Sequence, residues 1–386
     1  MSKTIGFIPL RKGSKGIPNK NKRKMAGRPL FSWVLTEAIF SNLDEIVVYT
    51  DDTIVANYIR ENYNWTDKVV VMARSTESAE DTASTEFAIL EYCEKIDYNF
   101  DTFCLLQATS PLTTYQDINA SLSKLSEGFD AALSVVKTHR FAWQSNGTPI
   151  NYDYNNRPRR QDFEGLLIEN GAVYVTSKKA LQKSNNRISG NIAIVEMPED
   201  SYHEIDDETD WKMVEQLLID RLIRTKTSKP ITHLFLDVDG VFTDGKVAFT
   251  EKGELSKNFD MRDGMGLEII RELGVEVIVM TSENSPLVAA RMKKLKINDV
   301  YLGVKDKYAQ MLQLVEKYKI DTGNIAYLGD DINDLATMCF VGWSMAPNNA
   351  MTVIKRYSDI VLNSNGGSGA IREACDLIIK YNKRYE

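Results

Sequence analysis

Apolar positions along the chain gather into short runs separated by helix-spaced patterns. "TIGFIPL" (4–10), "EIVVYT" (45–50), "KVVVM" (68–72), "TFCLLQ" (102–107) and "AALSVV" (131–136) are the first five runs. Near-continuous Val, Ile and Leu suits strands covered on both faces of a parallel sheet. Between them, "LFSWVLTEAIF" (30–40) and "STEFAILEYCEKI" (84–96) repeat apolar residues at helical spacing. This strand–helix alternation predicts an open α/β domain with its sites beyond the carboxyl ends of its strands.

A longer helical pattern, "DWKMVEQLLIDRLIR" (210–224), puts Trp211, Val214, Leu218 and Leu222 on one stripe, with Thr209 or Asp210 as the cap. "TKTSKP" then reads as a linker. A fresh alternation follows it: "THLFLDVD", "VEVIVMTS", "DVYLG", "IAYLGDD" and "FVGWSM". Two α/β domains are expected, 1–227 and 228–386, sharing a class but no repeated motif.

Composition narrows the chemistry. The 386 residues are 43% hydrophobic and 26% charged, as in a globular protein of two or three domains. A net charge of −7 disfavours a general nucleic-acid role. No apolar run reaches the ~18–20 residues of a spanning helix, and "MSKTIGFIPLRKG" is too short in its apolar part for a signal peptide. No membrane partner and a cytoplasmic address are therefore expected. Cys93, Cys104, Cys339 and Cys375 are scattered, without CxxC spacing, and read as buried thiols. Three histidines, none at metal-ligand spacing, leave catalysis to carboxylates, lysines and Mg²⁺.

"HLFLDVDGVFTDG" (233–245) ends an apolar run in Asp237 and Asp239. A carboxylate at a buried strand end can attack phosphorus if it has a proton donor, a metal, a cation and a hydroxyl beside it. Candidates follow in order: Thr281 after "VEVIVM", Lys307 at a helix start, and Asp330 and Asp331 after "IAYLG". Together these segments resemble the haloacid dehalogenase phosphatase superfamily. The resemblance implies a Rossmann-like domain with Asp237 as nucleophile and Asp239 as general acid and base. Thr281 and Lys307 would hold the phosphoryl oxygens, and Asp237, the Asp239 carbonyl, Asp330 and Asp331 would serve Mg²⁺. The spacings leave room for a hairpin flap ("KVAFTEKGELSKNFDM"), helices and a strand, but for no cap domain. A capless site needs another lid, so a homo-oligomer is expected, a tetramer through this domain, with "NGGSGAIREACDLI" reaching a neighbour's site.

Within that superfamily, "DVDGVFTDG", "MRDGMGLE" and Gly303–Lys307 resemble the small phosphatases of phosphorylated 3-deoxy-ulosonic acids. The eight-carbon type reads TGR after its second motif, whereas this chain reads "TSEN". Glu283 there, with Arg291 and Lys294 on the next helix, fits the nine-carbon pattern. Arg262, Asp263, Glu283, Arg291 and Lys294 are accordingly the expected sugar contacts.

"LRKGSKGIPNKN" (10–21) follows the first strand as a basic, glycine-rich loop suited to phosphate, though it is not a Walker A loop. With "YTDD", "DTAS", "LLQATSPL", "RRQD", "ENGAVYV" and "EIDDETDW" after it, it resembles the cytidylyltransferases that activate sialic acids. That resemblance implies CTP as co-substrate and CMP transfer to a nonulosonic acid. Arg11, Ser14, Lys15, Lys20 and Asn21 would hold the triphosphate, with Lys20 catalytic, and Arg74 and Ser84 would seat the cytidine. Gln107, Arg160, Gln161 and Asn170 would contact the sugar acid. Asp206 with Glu204 would bind Mg²⁺; Asp207 is the substitute, and capping of the following helix is the other reading of this acidic cluster. Small molecules are the expected partners. Two alternatives stand beside this reading: an eight-carbon pair, and an assembly module in the second half, as ascribed to animal relatives.

Overall fold

A computed structural model describes residues 3–14 and 16–384, so the expected phosphate ligand Lys15 lies outside the described residues. The chain divides into two compact units, one of Met1–Met25 with Pro29–Leu217 and one of Ala26–Arg28 with Leu218–Glu386.

The first unit is built on seven strands: β1 (Thr4–Leu10), β2 (Glu45–Thr50), β3 (Val69–Ala73), β4 (Thr102–Leu106), β5 (Ala131–Thr138), β6 (Leu166–Ser177) and β7 (Ile192–Met197). Their order in the sheet is β3-β2-β1-β4-β6-β5-β7. All run one way except β6, which pairs antiparallel with both neighbours. The apolar pattern anticipates the first five strands. It misses β6, where "LLIENGAVYVTS" breaks its apolar run with polar and glycine residues. Phe7 on β1 packs its ring 5.0–5.4 Å from those of Tyr49, Tyr92 and Phe103, at the centre of the unit's aromatic core. Helices α1 (Leu30–Phe40) and α3 (Thr85–Lys95) fall where expected, and α2 (Thr53–Asn62) is a further helix between them; α2 and α3 are capped by Asp52 and Ser84. Helix α4 (Glu208–Arg224) buries Trp211, Val214, Leu218 and Leu222 as the stripe predicts. Its cap is Asp207 rather than Thr209 or Asp210: the Asp207 carboxylate accepts from the backbone N–H groups of both, at 2.7 and 2.9 Å.

The second unit holds a six-stranded parallel sheet. Its strands are β8 (His233–Leu236), β11 (Glu276–Met280), β12 (Asp299–Tyr301), β13 (Ile325–Leu328), β14 (Trp343–Ala346) and β15 (Ile360–Val361), ordered β12-β11-β8-β13-β14-β15. Outside it stands the hairpin β9 (Ala248–Thr250) and β10 (Gly253–Ser256). Between β10 and β11 runs α5 (Met261–Glu272), between β11 and β12 runs α6 (Pro286–Lys294), and α7 (Lys307–Tyr318) follows β12. The insertions hold the hairpin, two helices and one strand, as the spacing requires, and no cap domain.

The segment expected to reach a neighbouring subunit also makes contacts within its own chain. The Gly367 N–H donates to the Val241 carbonyl at 3.0 Å, and the Glu373 carboxylate accepts from the Asn363 and Ser364 N–H groups. Helix α8 (Ala370–Asn382) then buries Ile371, Ala374, Cys375 and Ile378. Its amphipathic spacing is that of a core helix, and burial of that face holds it down. All four cysteines are free and buried. Among the described residues, no helix is long and apolar enough to cross a membrane.

Candidate active sites

Register gathers the second unit's candidates. Leu236 of β8 lies opposite Val279 of β11 on one side and Leu328 of β13 on the other. The residues just past those strands, Asp237, Thr281 and Asp330, therefore meet at one sheet edge, where parallel sheets place their sites. Asp237 continues the ladder with a 3.0 Å bond from its N–H to the Leu328 carbonyl.

Lys307, the first residue of α7, is fully buried, with its Nζ 2.7 Å from Asp237 Oδ1 and 2.7 Å from Asp334 Oδ1. Sequence reading left Asp334 without a role. Its Oδ1 also accepts from the Tyr327 hydroxyl at 2.7 Å, and its Oδ2 from the Asp330 and Asp331 N–H groups. Its Oδ1 is thus committed to Lys307 and Tyr327, and its Oδ2 to holding the 330–334 turn in shape. The signal for it was an aspartate closing the turn four residues after Asp330.

One oxygen each of Asp237, Asp330 and Asp334 lies within 4.8 Å of the other two. With Asp334 spoken for, Asp237 and Asp330 are the pair that fits a cation. Asp330 Oδ1 is buried with no hydrogen-bond partner, and such an orphaned carboxylate oxygen is costly unless a cation meets it. Gly240 makes room for that carboxylate: at its φ of +88°, a Cβ would stand 1.9 Å from Asp330 Oδ2. Burial pushes the Asp237 carboxyl up to about 7, with Lys307 opposing and Asp334 adding to the rise. Burial pushes Asp330 up to about 8, with the Asp237 and Asp334 charges adding. Burial works against the Lys307 ammonium, but the two carboxylates outweigh it and hold the group above its ordinary value. Asp331 is exposed and spends its carboxylate on the Ile332 N–H at 2.6 Å, so its support is of the turn rather than of a ligand.

Thr281 is buried, and its hydroxyl oxygen accepts from the Glu283 N–H at 3.3 Å, leaving the O–H free to donate. Asp239 is one-third exposed, and its Oδ1 pairs with Lys257 Nζ at 2.6 Å.

Of the expected sugar contacts, Arg262, Asp263 and Arg291 gather around Asp260. Glu283 is exposed and pairs with Lys305 at 3.1 Å. Arg262 is exposed and forks onto the Asp260 carboxylate. Arg291 reaches the Asp260 carbonyl at 3.4 Å and lies over the Phe259 ring. Lys294 is exposed at the far end of α6, about 13 Å along a nine-residue helix from the catalytic edge, and is not brought to the acidic cluster.

Asp263 is 1% exposed; its Oδ1 accepts from the Arg372 N–H at 2.9 Å at the start of α8, and its Oδ2 is buried with no hydrogen-bond partner. Burial pushes its carboxyl up to about 6. The folded state therefore binds more protons than the unfolded chain between about pH 4 and 6, and stability falls as pH rises through that window. Asp263→Asn removes this cost and is expected to stabilise the protein by about 1–3 kcal/mol at pH 7.5 and by almost nothing near pH 4. Urea unfolding at the two pH values measures it.

In the first unit, β1 and β2 end level, Leu10 opposite Thr50. Arg11 leaves the strand and pairs with Asp81, while Asn21 Nδ2 donates to the Arg11 carbonyl at 3.1 Å and shapes the glycine loop. Ser14 is half-buried in that loop. Lys20 Nζ donates to the Ile205 carbonyl at 2.7 Å and lies 3.7 Å from Asp206 Oδ1. Arg74 bonds to Ser78; burial, with repulsion from Arg11, holds its guanidinium below the usual arginine range. That repulsion places two cations near each other where an anion would relieve both. Ser84 is taken by its capping bond from the Phe87 N–H.

Glu204 and Asp206 flank buried Ile205, and the Glu204 carboxyl is raised by partial burial and by the Asp206 charge. Gly171 (φ +68°) admits Glu204: a Cβ there would meet Glu204 Oε1 at 1.9 Å and Gln107 Nε2 at 3.4 Å. Glu204, Gln107 and Lys20 thus converge, whereas Asp207 is the α4 cap. Asn170 is buried, takes the Ser134 hydroxyl at 2.7 Å and donates to Ser201. Arg160 and Gln161 sit exposed in a short 3₁₀ turn between β5 and β6, and no described contact joins them to Gln107.

Comparison with known proteins defines the class. Residues 5–230 match the cytidylyltransferase family model, and residues 272–374 match that of haloacid dehalogenase-like hydrolases. The chain belongs to the cytidylyltransferase family and carries a haloacid dehalogenase-like hydrolase domain behind it. It is 31% identical over 390 residues to N-acylneuraminate cytidylyltransferase B of Danio rerio, covering 98% of this chain and 90% of that one. N-acylneuraminate cytidylyltransferase of Oncorhynchus mykiss is likewise 31% identical, over 98% of this chain and 89% of its own. The second half is 34% identical over 150 residues to the 3-deoxy-D-manno-octulosonate 8-phosphate phosphatase KdsC of Haemophilus influenzae, covering 39% of this chain and 83% of that protein. The two-domain enzyme expected from the motifs is thereby supported in both halves.

Proposed function

We propose that the chain performs two consecutive steps: it dephosphorylates a nonulosonic acid 9-phosphate and then activates the freed acid with CTP. In the first step an Asp237 oxygen attacks phosphorus, the bond to the sugar oxygen breaks, and Asp239 gives that oxygen its proton. Asp239 then takes a proton from water as the water attacks the aspartyl-phosphate, which frees phosphate and restores Asp237. Lys307 and Thr281 neutralise and hold the phosphoryl oxygens. Mg²⁺, held by Asp237 and Asp330, supplies charge neutralisation when bound. The observation carrying this reading is the buried Asp237–Lys307 pair at 2.7 Å beside the unpartnered Asp330 oxygen. A scaffold has no use for so costly a cluster.

In the second step the anomeric hydroxyl attacks the α-phosphorus of CTP and pyrophosphate leaves. Positioning and neutralisation dominate, through Arg11, Lys20, Arg74 and the loop N–H groups, with Glu204 and Asp206 toward Mg²⁺. Lys20→Met is expected to cost about 10²–10³-fold in kcat/KM for CMP transfer, with phosphate release unchanged. Parallel assays on one preparation check this.

A second reading has support of its own. The relative matching the second half acts, by its name, on an octulosonate 8-phosphate. Glu283 in "TSEN" favours the nine-carbon substrate. Offering eight- and nine-carbon sugar phosphates, and the free acids with CTP and Mg²⁺, decides between them: preference for the eight-carbon pair would sink the nine-carbon reading. The capless site also leads us to expect a homo-tetramer, and the four free buried thiols a cytoplasmic enzyme. Light scattering that shows a fully active monomer overturns the assembly.

A further inference from the structure

One buried charge in the second unit has no part in the mechanism above. The Lys257 side chain, just past the hairpin, is 2% exposed. A lysine so deep needs partners, and it has two: Asp239 Oδ1 at 2.6 Å and Glu254 Oε1 at 3.4 Å. Glu254, on β10, accepts in turn from the hydroxyl of Ser285, and Ser285 caps α6 immediately after the Thr281 loop. The hairpin arm thus inserts a Lys–Glu pair between the loop that carries Asp239 and the loop that carries Thr281. Among the described residues no hydrogen bond reaches Asp239 Oδ2, and the carboxylate is one-third exposed. One oxygen is pinned and the other is open.

From this geometry we infer that Lys257 is a positioning residue: by clamping Asp239 Oδ1 it aims Oδ2 at the oxygen that receives or gives up the proton. The inference rests on the phosphatase reading and adds a residue to it. A free aspartate side chain samples several rotamers, and a proton-transfer group works only within hydrogen-bond reach of its target. Glu254 and Ser285 fix the lysine, so the arm and the site hold each other in place.

The effect depends on the leaving group. A sugar alkoxide needs its proton as the P–O bond breaks, whereas a nitrophenolate leaves without one. The test uses the full chain with Mg²⁺ and compares the parent, Lys257→Met, Lys257→Arg and Asp237→Asn. Their substrates are a nonulosonate 9-phosphate and 4-nitrophenyl phosphate. Lys257→Met is expected to lose about 10²-fold in kcat on the sugar phosphate with KM within about threefold. Its nitrophenolate burst should keep nearly the parent's rate, followed by slowed turnover, since Asp239 must still activate water. Lys257→Arg, which keeps a cation at Asp239, should recover to within about tenfold of the parent.

Equal loss in the sugar-phosphate rate and the nitrophenolate burst overturns the inference, because it marks a general disturbance of the site. No loss in Lys257→Met while Asp237→Asn is inactive also overturns it, and leaves the phosphatase reading standing. If Asp237→Asn releases phosphate as fast as the parent, the phosphatase reading falls and this inference with it.

Discussion

Asp237→Asn is expected to slow phosphate release by at least about 10⁴-fold while CMP transfer stays within about twofold of the parent. The reason is bond-making, not shape. The amide fills the carboxylate's volume, but its lone pairs are too weak a nucleophile for phosphorus, and no acyl phosphate forms. The substitution should not unfold the unit. Asp237 sits beside Asp330 and Asp334, and burial, with the Asp334 charge adding, has pushed it up to about 7. Removing one charge from that cluster relieves Asp330, while Lys307 keeps Asp334 as its partner at 2.7 Å. The melting temperature is therefore expected to hold or rise, and Mg²⁺ binding by calorimetry to weaken. Phosphate release, CMP formation and melting measured on one preparation separate the outcomes. If release persists in the variant, the phosphatase reading built on Asp237 falls. If CMP transfer falls in step, the two activities are coupled in a way the motifs do not encode.

The parts of these sites that could be read in the sequence are the local ones. A strand ending before Asp237, another ending before Thr281 and a third ending before Asp330 are legible because apolar runs stop abruptly at polar residues. Parallel register then brings the three ends together. Roles set by distant partners were not legible. Asp334 depends on Lys307 and on the Tyr327 hydroxyl; Lys257 depends on where the hairpin lays it. Side-chain orientation was not legible either. Asn170 lies within a motif, but it is one of the buried positions of β6 while Glu169 beside it is exposed, so its amide serves Ser134 and Ser201. Lys294 has the right spacing along the chain from Glu283, yet the helix between carries it away from the catalytic edge. Asp207 belongs to an acidic cluster that looks metal-binding, but the nearest unpaired N–H groups at the start of α4 claim it first.

The second large effect is on stability. Lys307→Met leaves Asp237 and Asp334 buried with no ammonium between them. Breaking a buried pair from one side is expected to cost about 3–5 kcal/mol, since the surviving charges lose their compensation. The loss of the cation on the phosphoryl group should also abolish phosphate release. Two costs that arise from one geometry can be told apart by a double-mutant cycle in chelator. Asp237→Asn together with Lys307→Met removes one of the two stranded carboxylates. The pair is therefore expected to be more stable than Lys307→Met alone by about 1–3 kcal/mol, while remaining inactive. Urea unfolding followed by tryptophan fluorescence gives the energies, and phosphate release gives the chemistry. Should Asp237→Asn add no more stability in the Lys307→Met background than it adds in the parent, the lysine is not neutralising Asp237, and the charge arrangement on which the nucleophile depends is wrong.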